Sequence, residues 1–594
     1  MTSDQPTTAV GLARSSQCEK TLATARAEGL PDIVARILAS RSLPTIDSLG
    51  GFLQPGLKDL DDPGVLADID KAATRVAAAV TRGEMIGLES DYDQDGLGAM
   101  ATMYFAFTDV FKHPTERVGI FVGHRLRDGY GLCDPLAERI LAARPQAAVV
   151  ITADNGSSDE LRIQRLAKAG IDVIVTDHHA LPVSGPPQSA YACINPQRAD
   201  CDYPDGAIAG GMVAWLLMCV VHRRLVEEGY IPDSRRQLGL LLDFVACSTV
   251  ADCVSLASVN NRAIVRHGLR LMNERPRPCW QGMRPLLKTK TITAETISFG
   301  IAPRVNAQTR LNSADEALRF LLAGDKDAAR EAAAILDANN EQRKQIERKM
   351  VDDAIELADK QLQQGHMGIV TFLENGHPGV QGICSSRIVE RYGRPAFTFC
   401  PNLEEPNLLT GSGRSIGPVH LRDVLQEMAE AYPNLFDKFG GHSAAAGVTI
   451  TKDRLADFVD GFDDALQSRV DGDSLRPVLA SDGELNADEL SLDTVDALTA
   501  LEPTGRGFAP AQFDGEFEIT AIRPVGDRTH LKLALRYQNR HLSAIWFRAI
   551  RSANEPWPVQ RGERARLVYR LADNNGYGPR RLELIIAGKI SDAA

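Results

Sequence analysis

The chain lacks several features that would narrow its class at once. Its ten cysteines include no close pair with metal-ligand spacing, so free buried thiols are favoured over zinc sites or disulfides. No run approaches the roughly 18 apolar residues of a membrane span. Residues 1–16 show no basic-then-apolar signal pattern. We therefore expect a cytoplasmic protein without membrane association, and we find no internal repeat or low-complexity tract.

An excess of positive charge is also missing. The formal net charge is −12 and the sequence pI is near 5.6, so the molecule as a whole is no polycation. Any contact with nucleic acid has to come from local clusters of arginine and lysine. With 594 residues and 44% hydrophobic content, the chain can bury several cores, and about three or four domains are expected.

The pattern along the chain predicts an α/β protein with five parts. We expect a parallel sheet with helices on both faces, because short apolar runs alternate there with helix-like stretches. A long helix is predicted where no glycine or proline occurs, and five short strands near the end suggest a small barrel of the oligonucleotide-binding type. The predicted parts are a helical lead-in (1–84), the parallel-sheet domain (85–324), a connecting helix (325–365), a smaller α/β domain (366–470) and the barrel (480–594).

Acidic and histidine side chains follow four apolar, β-prone runs in the second of these parts. The runs are Ile86–Leu88, Ala148–Ile151, Val173–Val175 and Leu242–Ala246, and the side chains after them are Asp91 and Asp93, Asp154, Asp177 with His178 and His179, and Asp252. Ligands gather at the carboxyl ends of parallel strands. Carboxylates and imidazoles converging there suit Mn²⁺ or Mg²⁺ and predict a metal-assisted hydrolase of phosphate esters.

Two plainer interpretations compete with the metal site. Asp91, Asp93 and Asp95 also open like a calcium loop, but the twelfth position of that loop is Thr102 instead of glutamate, and a β-like run precedes it. Calcium is therefore disfavoured. The segment at Asp154, taken alone, is typical of an ordinary turn.

Eight short motifs, taken in order and spacing, resemble the DHH phosphoesterase family, and within it the branch of single-strand-specific 5′→3′ exonucleases. The motifs are Asp91–Gly96, Asp154–Gly156, Asp177–His179, Thr249–Asp252, Pro303–Ala307, His377–Val380, Gly411–Ser415 and Gly440–His442. The resemblance spans most of the chain. Several positions depart from the family pattern, and none is a metal ligand: Cys253, Ser255, Val305, Gln308, Thr309 and Gly376.

The resemblance implies a role for each residue of the first four motifs. One Mn²⁺ or Mg²⁺ ion would be held by Asp93, Asp154, His178 and Asp252, and a second ion by Asp91, with Asp154 bridging. His179 would face the scissile phosphate, and Asp177 would support the two histidines. The implied catalytic set is His179, Asp177, Asp93 and Asp154.

Substrate recognition is expected from residues outside this shell. We interpret the two glycine-rich segments, 411–415 and 440–443, as turns with polar tips whose backbone N–H groups can approach an anion. For Arg414, two interpretations compete: bidentate hydrogen bonding of its guanidinium to a phosphate, and a surface salt bridge. The candidate substrate-binding residues are Arg125, Arg127, Arg304, Arg310, Ser412, Arg414 and His442.

A further basic patch lies near the end of the chain and offers side chains for binding single strands. On the residues alone, a solvated barrel face explains the same composition equally well, and the resemblance to the family favours DNA binding. The patch consists of Arg561, Arg564, Arg566, Arg570, Arg580 and Arg581, with Tyr569 and Tyr577 interleaved.

The resemblance implies a metal-dependent exonuclease that threads single-stranded DNA between the first two domains and releases 5′-mononucleotides during recombination and repair. It would act as a monomer, with a helicase and a single-strand-binding protein as partners. The 5′ preference rests on the resemblance alone. Two alternatives stay open: an oligonucleotide or cyclic-dinucleotide phosphodiesterase of the same family, and a non-catalytic replication scaffold.

Overall fold

The fold is given by a computed structural model. It describes residues 10–591 apart from residues 45, 47, 404, 418, 471–474, 476, 527, 551–555 and 575–578. Tyr577 of the predicted basic patch lies outside the described residues. Within the described part of the chain, no helix combines the length and the apolar character required to cross a lipid bilayer.

The strands and helices are numbered in chain order. The strands are β1 Gly11–Arg14, β2 Ile86–Ser90, β3 Val118–Val122, β4 Val149–Ala153, β5 Asp172–Thr176, β6 Ala192–Ile194, β7 Ile369–Phe372, β8 Ala396–Pro401, β9 Leu408–Arg414, β10 Lys438–Gly441, β11 Ala445–Thr451, β12 Val478–Ser481, β13 Phe513–Val525, β14 His530–Tyr537, β15 Arg540–Trp546, β16 Arg564–Asp573 and β17 Leu582–Lys589. The helices are α1 Glu19–Ala27, α2 Asp32–Ala39, α3 Leu49–Leu53, α4 Ile69–Thr81, α5 Gln94–Phe105, α6 Asp134–Ala142, α7 Glu160–Lys168, α8 Gly210–Glu227, α9 Arg235–Gly239, α10 Leu242–Ala251, α11 Val259–Glu274, α12 Pro278–Met283, α13 Ala294–Thr296, α14 Ala302–Leu311, α15 Asp315–Leu321, α16 Lys326–Gln363, α17 Gln381–Tyr392, α18 Leu421–Ala431, α19 Leu455–Gln467 and α20 Leu492–Leu498.

The described residues form two compact units, and neither is continuous in sequence. The parallel-sheet unit comprises residues 42–341 and 501–509. The barrel unit comprises the described residues of 1–41, 342–500 and 510–594. Helix α16 is 38 residues long, about 57 Å at 1.5 Å per residue, and contains residues of both units. The predicted long connecting helix is therefore confirmed.

The parallel-sheet unit is built on five parallel strands in the order β3-β2-β4-β5-β6. Neighbouring residues of one strand enter opposite cores: Val149 and Ile151 of β4 pack with α4, α5 and α8, whereas Val150 packs with α6 and α7. Both faces of the sheet are thus covered, which explains why its strands are continuously apolar instead of alternating. The predicted α/β architecture is confirmed.

The barrel unit contains a second sheet, β10-β11-β9-β8-β7, in which only β7 and β8 run parallel. Helices α18 and α19 cover one face, and α16 and α17 cover the other. The five C-terminal strands close into a barrel in the order β13-β14-β15-β17-β16, with β15 parallel to β17. This confirms the predicted five-strand barrel, which is of the oligonucleotide-binding type.

Two local predictions were wrong. The run Leu242–Ala246 before Asp252 is part of helix α10, not a strand. The first glycine-rich segment is not a turn, because residues 411–414 lie within β9. Its glycines make room for aromatic rings: a Cβ on Gly413 would lie 2.3 Å from the Phe397 ring. In the second segment, Gly440 and Gly441 end β10, and His442 lies in the predicted turn, where its N–H donates to Ala445 O at the start of β11 (2.8 Å).

A further difference concerns the lead-in, which contains a strand as well as the expected helices. Strand β1 pairs in parallel with β12, some 470 residues later in sequence, with Gly11 opposite Val478. Arg14 at the end of β1 forms ion pairs with Asp514, which is fully buried, and with Glu484. The first described residues are therefore part of the barrel unit's structure.

Candidate metal centre

Three of the four predicted motifs lie side by side because β2, β4 and β5 are neighbours in the sheet. At the carboxyl end of each strand, one backbone N–H bonds to the neighbouring strand: Asp91 donates to Ala153 O (3.1 Å), and Asp154 donates to Thr176 O (2.9 Å). Asp177 donates in the same way to Ile194 O on β6 (3.1 Å). The sheet therefore fixes the spacing of the motifs.

The fourth motif arrives from a helix. Asp252 is the C-terminal cap of α10, which packs against α5 and α8. Close approach of these helices requires glycine, since a Cβ on Gly98 or Gly211 would lie 2.3 or 2.5 Å from Ser248 Oγ. Ser248 Oγ in turn donates to Asp95 O (3.2 Å).

These elements bring the predicted ligands together in overlapping groups. His178 Nε2 lies 3.1 Å from Asp154 Oδ1, 3.6 Å from Asp252 Oδ2 and 3.7 Å from Asp95 Oδ2. Three groups each place their ligand atoms within 4.8 Å of one another: Asp91, Asp93 and Asp154; Asp154, His178 and His179; and Asp95, His178 and Asp252.

The residues fit a divalent cation. Asp91 Oδ1, Asp154 Oδ1 and His178 Nε2 are buried and have no hydrogen-bond partner within the described residues. Such groups are costly to bury unless something else pairs with them. Asp154 also has a left-handed backbone conformation (φ 67°), rare for a residue other than glycine.

Electrostatics favour the same conclusion. Burial and the charge of Asp93 raise the pKa of Asp91 to about 8, and burial with the charge of Asp95 raises the pKa of Asp252 to about 8. The pKa of Asp154 is also raised, by burial and by the carboxylates around it, whereas burial lowers the pKa of His178. Crowded carboxylates and a neutral imidazole are what a bound cation requires.

Asp177 has a different environment. Its Oδ1 accepts hydrogen bonds from the backbone N–H groups of His178 (2.7 Å) and His179 (3.1 Å) and lies 2.8 Å from His179 Nδ1, while Oδ2 accepts from Ser157 N–H (3.0 Å). Although burial opposes it, the hydrogen bond with His179 keeps the pKa of Asp177 below its usual range. Burial also disfavours protonation of His179, but Asp177 raises the pKa of that imidazole to about 9.

Sequence reasoning missed two residues of the centre. Asp95 is buried, and its two carboxylate oxygens accept from the N–H groups of Gly210 and Gly211 (both 2.8 Å) at the start of α8. Its position in the Asp-x-Asp-x-Asp motif was the available signal. Tyr130 lies between β3 and α6, at the end of the segment 124–130 that the sequence offered for substrate recognition. Its hydroxyl lies 3.2 Å from His179 Nδ1 and 3.4 Å from Asp154 O, and this position beside His179 was not predicted.

The predicted substrate residues of the parallel-sheet unit differ in their surroundings. Arg125 stacks over the Tyr92 ring (4.4 Å to its centroid), and its buried Nε has no hydrogen-bond partner among the described residues. Arg127 is exposed. Arg310, in the last turn of α14, is close enough for its charge to act on Tyr92. Arg304 instead forms an ion pair with Asp337 (2.8 Å), so its guanidinium already has a partner within the protein.

The remaining predicted substrate residues lie in the barrel unit. Arg414 Nη1 donates to Ser412 Oγ (3.2 Å) and to Gly413 O (2.7 Å). Both side chains face Gly382 on α17, where a Cβ would lie 2.9 Å from each. Burial lowers the pKa of Arg414. His442 is exposed beyond β10.

The described residues of the predicted terminal patch do not form a stacking surface. Tyr569 is buried against Phe513 and Phe517 inside the barrel, so its ring cannot stack on a base. Several of the arginines are paired with acidic residues: Arg564 with Glu516, Arg566 with Glu484 and Asp514, and Arg580 with Asp496 and Asp573. The alternative interpretation, a solvated barrel face, describes these residues better.

Comparisons with known proteins agree with the geometry. Three family models match in order: the DHH family N-terminal domain over residues 86–247, the DHHA1 domain over 366–468 and the RecJ OB domain over 481–588. The chain is 34% identical to the single-stranded-DNA-specific exonuclease RecJ of Dickeya dadantii over 94% of this chain and 96% of that protein.

Solved structures give the same result. The crystal structure of Thermus thermophilus RecJ in complex with Mn²⁺ shares the fold, with a TM-score of 0.79 at 24% identity over 98% of this chain and 80% of that one. A manganese-bound exonuclease RecJ is 30% identical, with a TM-score of 0.56, over 69% of this chain and 97% of that one. Identity along nearly the whole length, with all three domains in the same order, shows that the chain belongs to the RecJ family.

Proposed function

We propose that this protein is a metal-dependent exonuclease that degrades single-stranded DNA from the 5′ end and releases 5′-mononucleotides in recombination and repair. The single observation that carries the proposal is the cluster of overlapping carboxylate and histidine groups, in which three buried ligand atoms have no hydrogen-bond partner among the described residues. The RecJ relatives, named for single-stranded-DNA-specific exonuclease activity, supply the substrate class.

The proposed division of labour follows the five predicted parts. Residues 85–324 would carry the metal centre, residues 366–470 and the barrel at 480–594 would bind the strand, and residues 1–84 and 325–365 would connect and support them. This proposal is supported by the DHH, DHHA1 and OB family models, which match residues 86–247, 366–468 and 481–588.

The centre would hold one or two Mn²⁺ or Mg²⁺ ions. Asp93, Asp154, His178 and Asp252 would bind one ion, and Asp91 a second, with Asp154 shared. A divalent cation held there would polarise the phosphate, stabilise the leaving oxygen and lower the pKa of a water, so that a hydroxide nucleophile is available near neutral pH. Asp95 is assigned to positioning, because both of its oxygens already accept hydrogen bonds from α8.

His179 would contact the phosphate directly. Asp177 holds a proton on the imidazole through Nδ1, and the Nε2–H, which lies 3.4 Å from the Tyr130 hydroxyl, would donate to a phosphate oxygen. Tyr130 contacts the exposed side of the same ring and restricts its orientation. Arg125 and Arg310 beside Tyr92, together with Ser412, Arg414 and His442, would bind backbone phosphates.

The biological setting follows from the substrate. Chromosomal single strands would be encountered in the cytoplasm, and because duplex ends must first be opened, a helicase and a single-strand-binding protein are the expected partners.

One assay tests the proposal. Purified protein is given 5′-labelled and 3′-labelled single strands, duplex and dinucleotide, with Mn²⁺ or with EDTA. We expect stepwise loss from the 5′ end of single strands only, abolished by EDTA and by Asp93→Ala. The matched control is Asp134→Ala, an exposed aspartate of α6 outside the cluster.

Other outcomes point to the alternatives. Activity confined to dinucleotides would indicate a short-oligonucleotide phosphodiesterase. Metal-independent binding of single strands without any cleavage would indicate a replication scaffold, and cleavage from the 3′ end would refute the proposed polarity.

A further inference from the structure

Residues 501–509 lie within the match of the RecJ OB model but belong by packing to the parallel-sheet unit. Within this segment the chain makes a tight turn: Gly505 and Phe508 exchange both backbone hydrogen bonds (2.9 and 3.2 Å). Arg506 and Gly507 form the tip, and Gly507 has φ 74°, which favours glycine. The turn thus displays one arginine at a defined place.

Packing of buried side chains holds the turn in place. The buried Phe508 ring packs against the Phe52 ring (5.4 Å between centroids), and the guanidinium of Arg262 lies over both rings. Arg262 also donates to the carbonyl oxygens of Leu501 (3.0 Å) and Pro503 (2.9 Å). A fixed backbone reduces the entropy lost when Arg506 contacts a ligand.

The same turn packs against the segment that directly follows a predicted metal ligand, Asp252. The Arg506 carbonyl accepts a hydrogen bond from Leu256 N–H (2.8 Å), four residues after Asp252. A Cβ on Gly507 would lie 2.1 Å from Ser255 Oγ, so the backbones are in close contact. Arg506 therefore lies beside the Asp252 side of the metal centre.

The Arg506 side chain is exposed, and it makes no hydrogen bond or ion pair with any residue that the structure describes. Its charge acts on Asp252 and Cys253, as does that of Arg125 on Asp91. The metal centre thus has two nearby arginines, Arg506 near Asp252 and Arg125 near Asp91. The plain alternative is that Arg506 only offsets the negative charge of Asp252.

We propose that Arg506 binds a backbone phosphate of the single strand, next to the phosphate being hydrolysed. The inference rests on the proposed function and extends it to a residue outside the DHH motifs. A guanidinium presents paired N–H donors that match phosphate oxygens, and an anionic centre requires cations at its rim if a polyanion is to approach. Screening of Asp252 alone would leave those donors unused.

The test compares wild type with Arg506→Ala, Arg506→Lys and the control Arg235→Ala, an exposed arginine of α9 whose partner is Asp233. Cleavage of a labelled single strand is followed at several salt concentrations and at several Mn²⁺ concentrations. For Arg506→Ala we expect KM to rise about threefold to tenfold with kcat within twofold of wild type. The slope of log(kcat/KM) against log[salt] should fall by about 0.7, the value expected when the protein neutralises one phosphate fewer on a single strand.

Arg506→Lys should retain the salt slope, because it keeps the charge, while recovering only part of the affinity. A salt slope equal to that of wild type in Arg506→Ala would overturn the inference, and a change only in the Mn²⁺ midpoint would assign Arg506 to screening Asp252. If wild type itself fails to degrade single strands, the proposed function fails instead. Thermal unfolding of each variant without metal shows whether the fold is intact.

Discussion

Asp177 and Asp154 are both buried at strand ends, yet their hydrogen bonding is opposite. Asp177 is saturated by backbone and imidazole donors, whereas Oδ1 of Asp154 has no donor among the described residues and faces His178. A carboxylate whose oxygens all accept hydrogen bonds orients its neighbours, whereas a carboxylate with an unpaired oxygen can coordinate a metal ion. This contrast distinguishes a supporting residue from a metal ligand more clearly than the sequence motif does.

Asp177, whose oxygens already accept hydrogen bonds, gives a first prediction. Asp177→Asn keeps an oxygen that can accept the backbone N–H groups but removes the charge that holds a proton on His179. We expect kcat to fall about tenfold to a hundredfold, the usual cost of losing a partner that orients an active-site histidine. The Mn²⁺ midpoint should change far less, and steady-state cleavage at several Mn²⁺ concentrations measures both. An equal loss in metal affinity would make Asp177 a ligand.

The crowded carboxylates give a second prediction, about stability. In the folded protein the pKa values of Asp91 and Asp252 are about 8, against about 3.9 when unfolded. The folded state therefore binds protons more readily between these values. The stability of the metal-free protein should decline as pH rises through that window, by at most about 1.4 kcal/mol per pH unit for each group.

Thermal unfolding in EDTA at pH 6, 7 and 8 checks this prediction. The midpoint should fall with pH, and Asp91→Asn should fall less steeply than wild type, because it lacks one of the titrating groups. Saturating Mn²⁺ should flatten or reverse the trend, since the ion binds the deprotonated ligands. A midpoint in EDTA that rises with pH in both proteins would contradict the assigned pKa directions.

Among the elements, β9 shows why local sequence was misleading. Alternate residues of this strand are glycines because the rings of Phe397 and Phe399 on β8 lie where their side chains would be. Glycine, serine and glycine in succession are typical of a turn, and no local rule reveals a neighbouring aromatic ring. The strand also fixes the positions of Ser412 and Arg414.

Gly413→Ala should therefore be strongly destabilising. Its Cβ would lie 2.3 Å from the Phe397 ring, and overpacking of this kind costs about 1–3 kcal/mol. Gly447, on the adjacent strand β11, has no atom within 4 Å of a Cβ and is the matched control for alanine substitution. Thermal unfolding followed by circular dichroism measures both variants. Equal midpoints would show that the Phe397 ring can move aside.

Helix α11 carries a buried arginine that binds carbonyl groups instead of a carboxylate. Arg262→Met should destabilise the parallel-sheet unit by about 3 kcal/mol, because carbonyl oxygens of residues 52, 501 and 503 lose a buried donor. Arg270→Met, an exposed position on the same helix, is the control. Urea unfolding compares the variants. A small effect would mean that water replaces the missing donors.

Three of the five strands of the parallel sheet, β2, β4 and β5, could be predicted from the sequence, because each is an apolar run followed by acidic residues. Strands β3 and β6 have no such residues directly after them and were not predicted. Leu242–Ala246 was misassigned since a short, fully buried apolar run has no periodicity that distinguishes a helix from a strand. Asp252 nevertheless reaches the cluster, because the motif depends on where the element ends and not on its type. The contact of Tyr130 with His179 could not be predicted, since it depends on the path of an irregular segment.

For the molecule as a whole, the two units could not be predicted, because both combine distant parts of the chain. Strand β1 pairs with β12, and residues 501–509 complete the parallel-sheet unit. Local patterns identify elements, whereas such assembly depends on contacts between residues hundreds of positions apart. Five consecutive parts are the simplest interpretation of the pattern and stay a prediction, whereas packing groups the described residues into two discontinuous units.

Completion of the parallel-sheet unit by residues 501–509 has a consequence for biosynthesis. At roughly 5–20 residues per second, a ribosome needs on the order of ten to thirty seconds to proceed from residue 341 to residue 509. Throughout that interval the nascent unit has neither Phe508 against Phe52 nor the Arg506 turn beside Asp252. The newly made protein therefore acquires the arginine beside Asp252 when all five strands of the barrel remain to be translated.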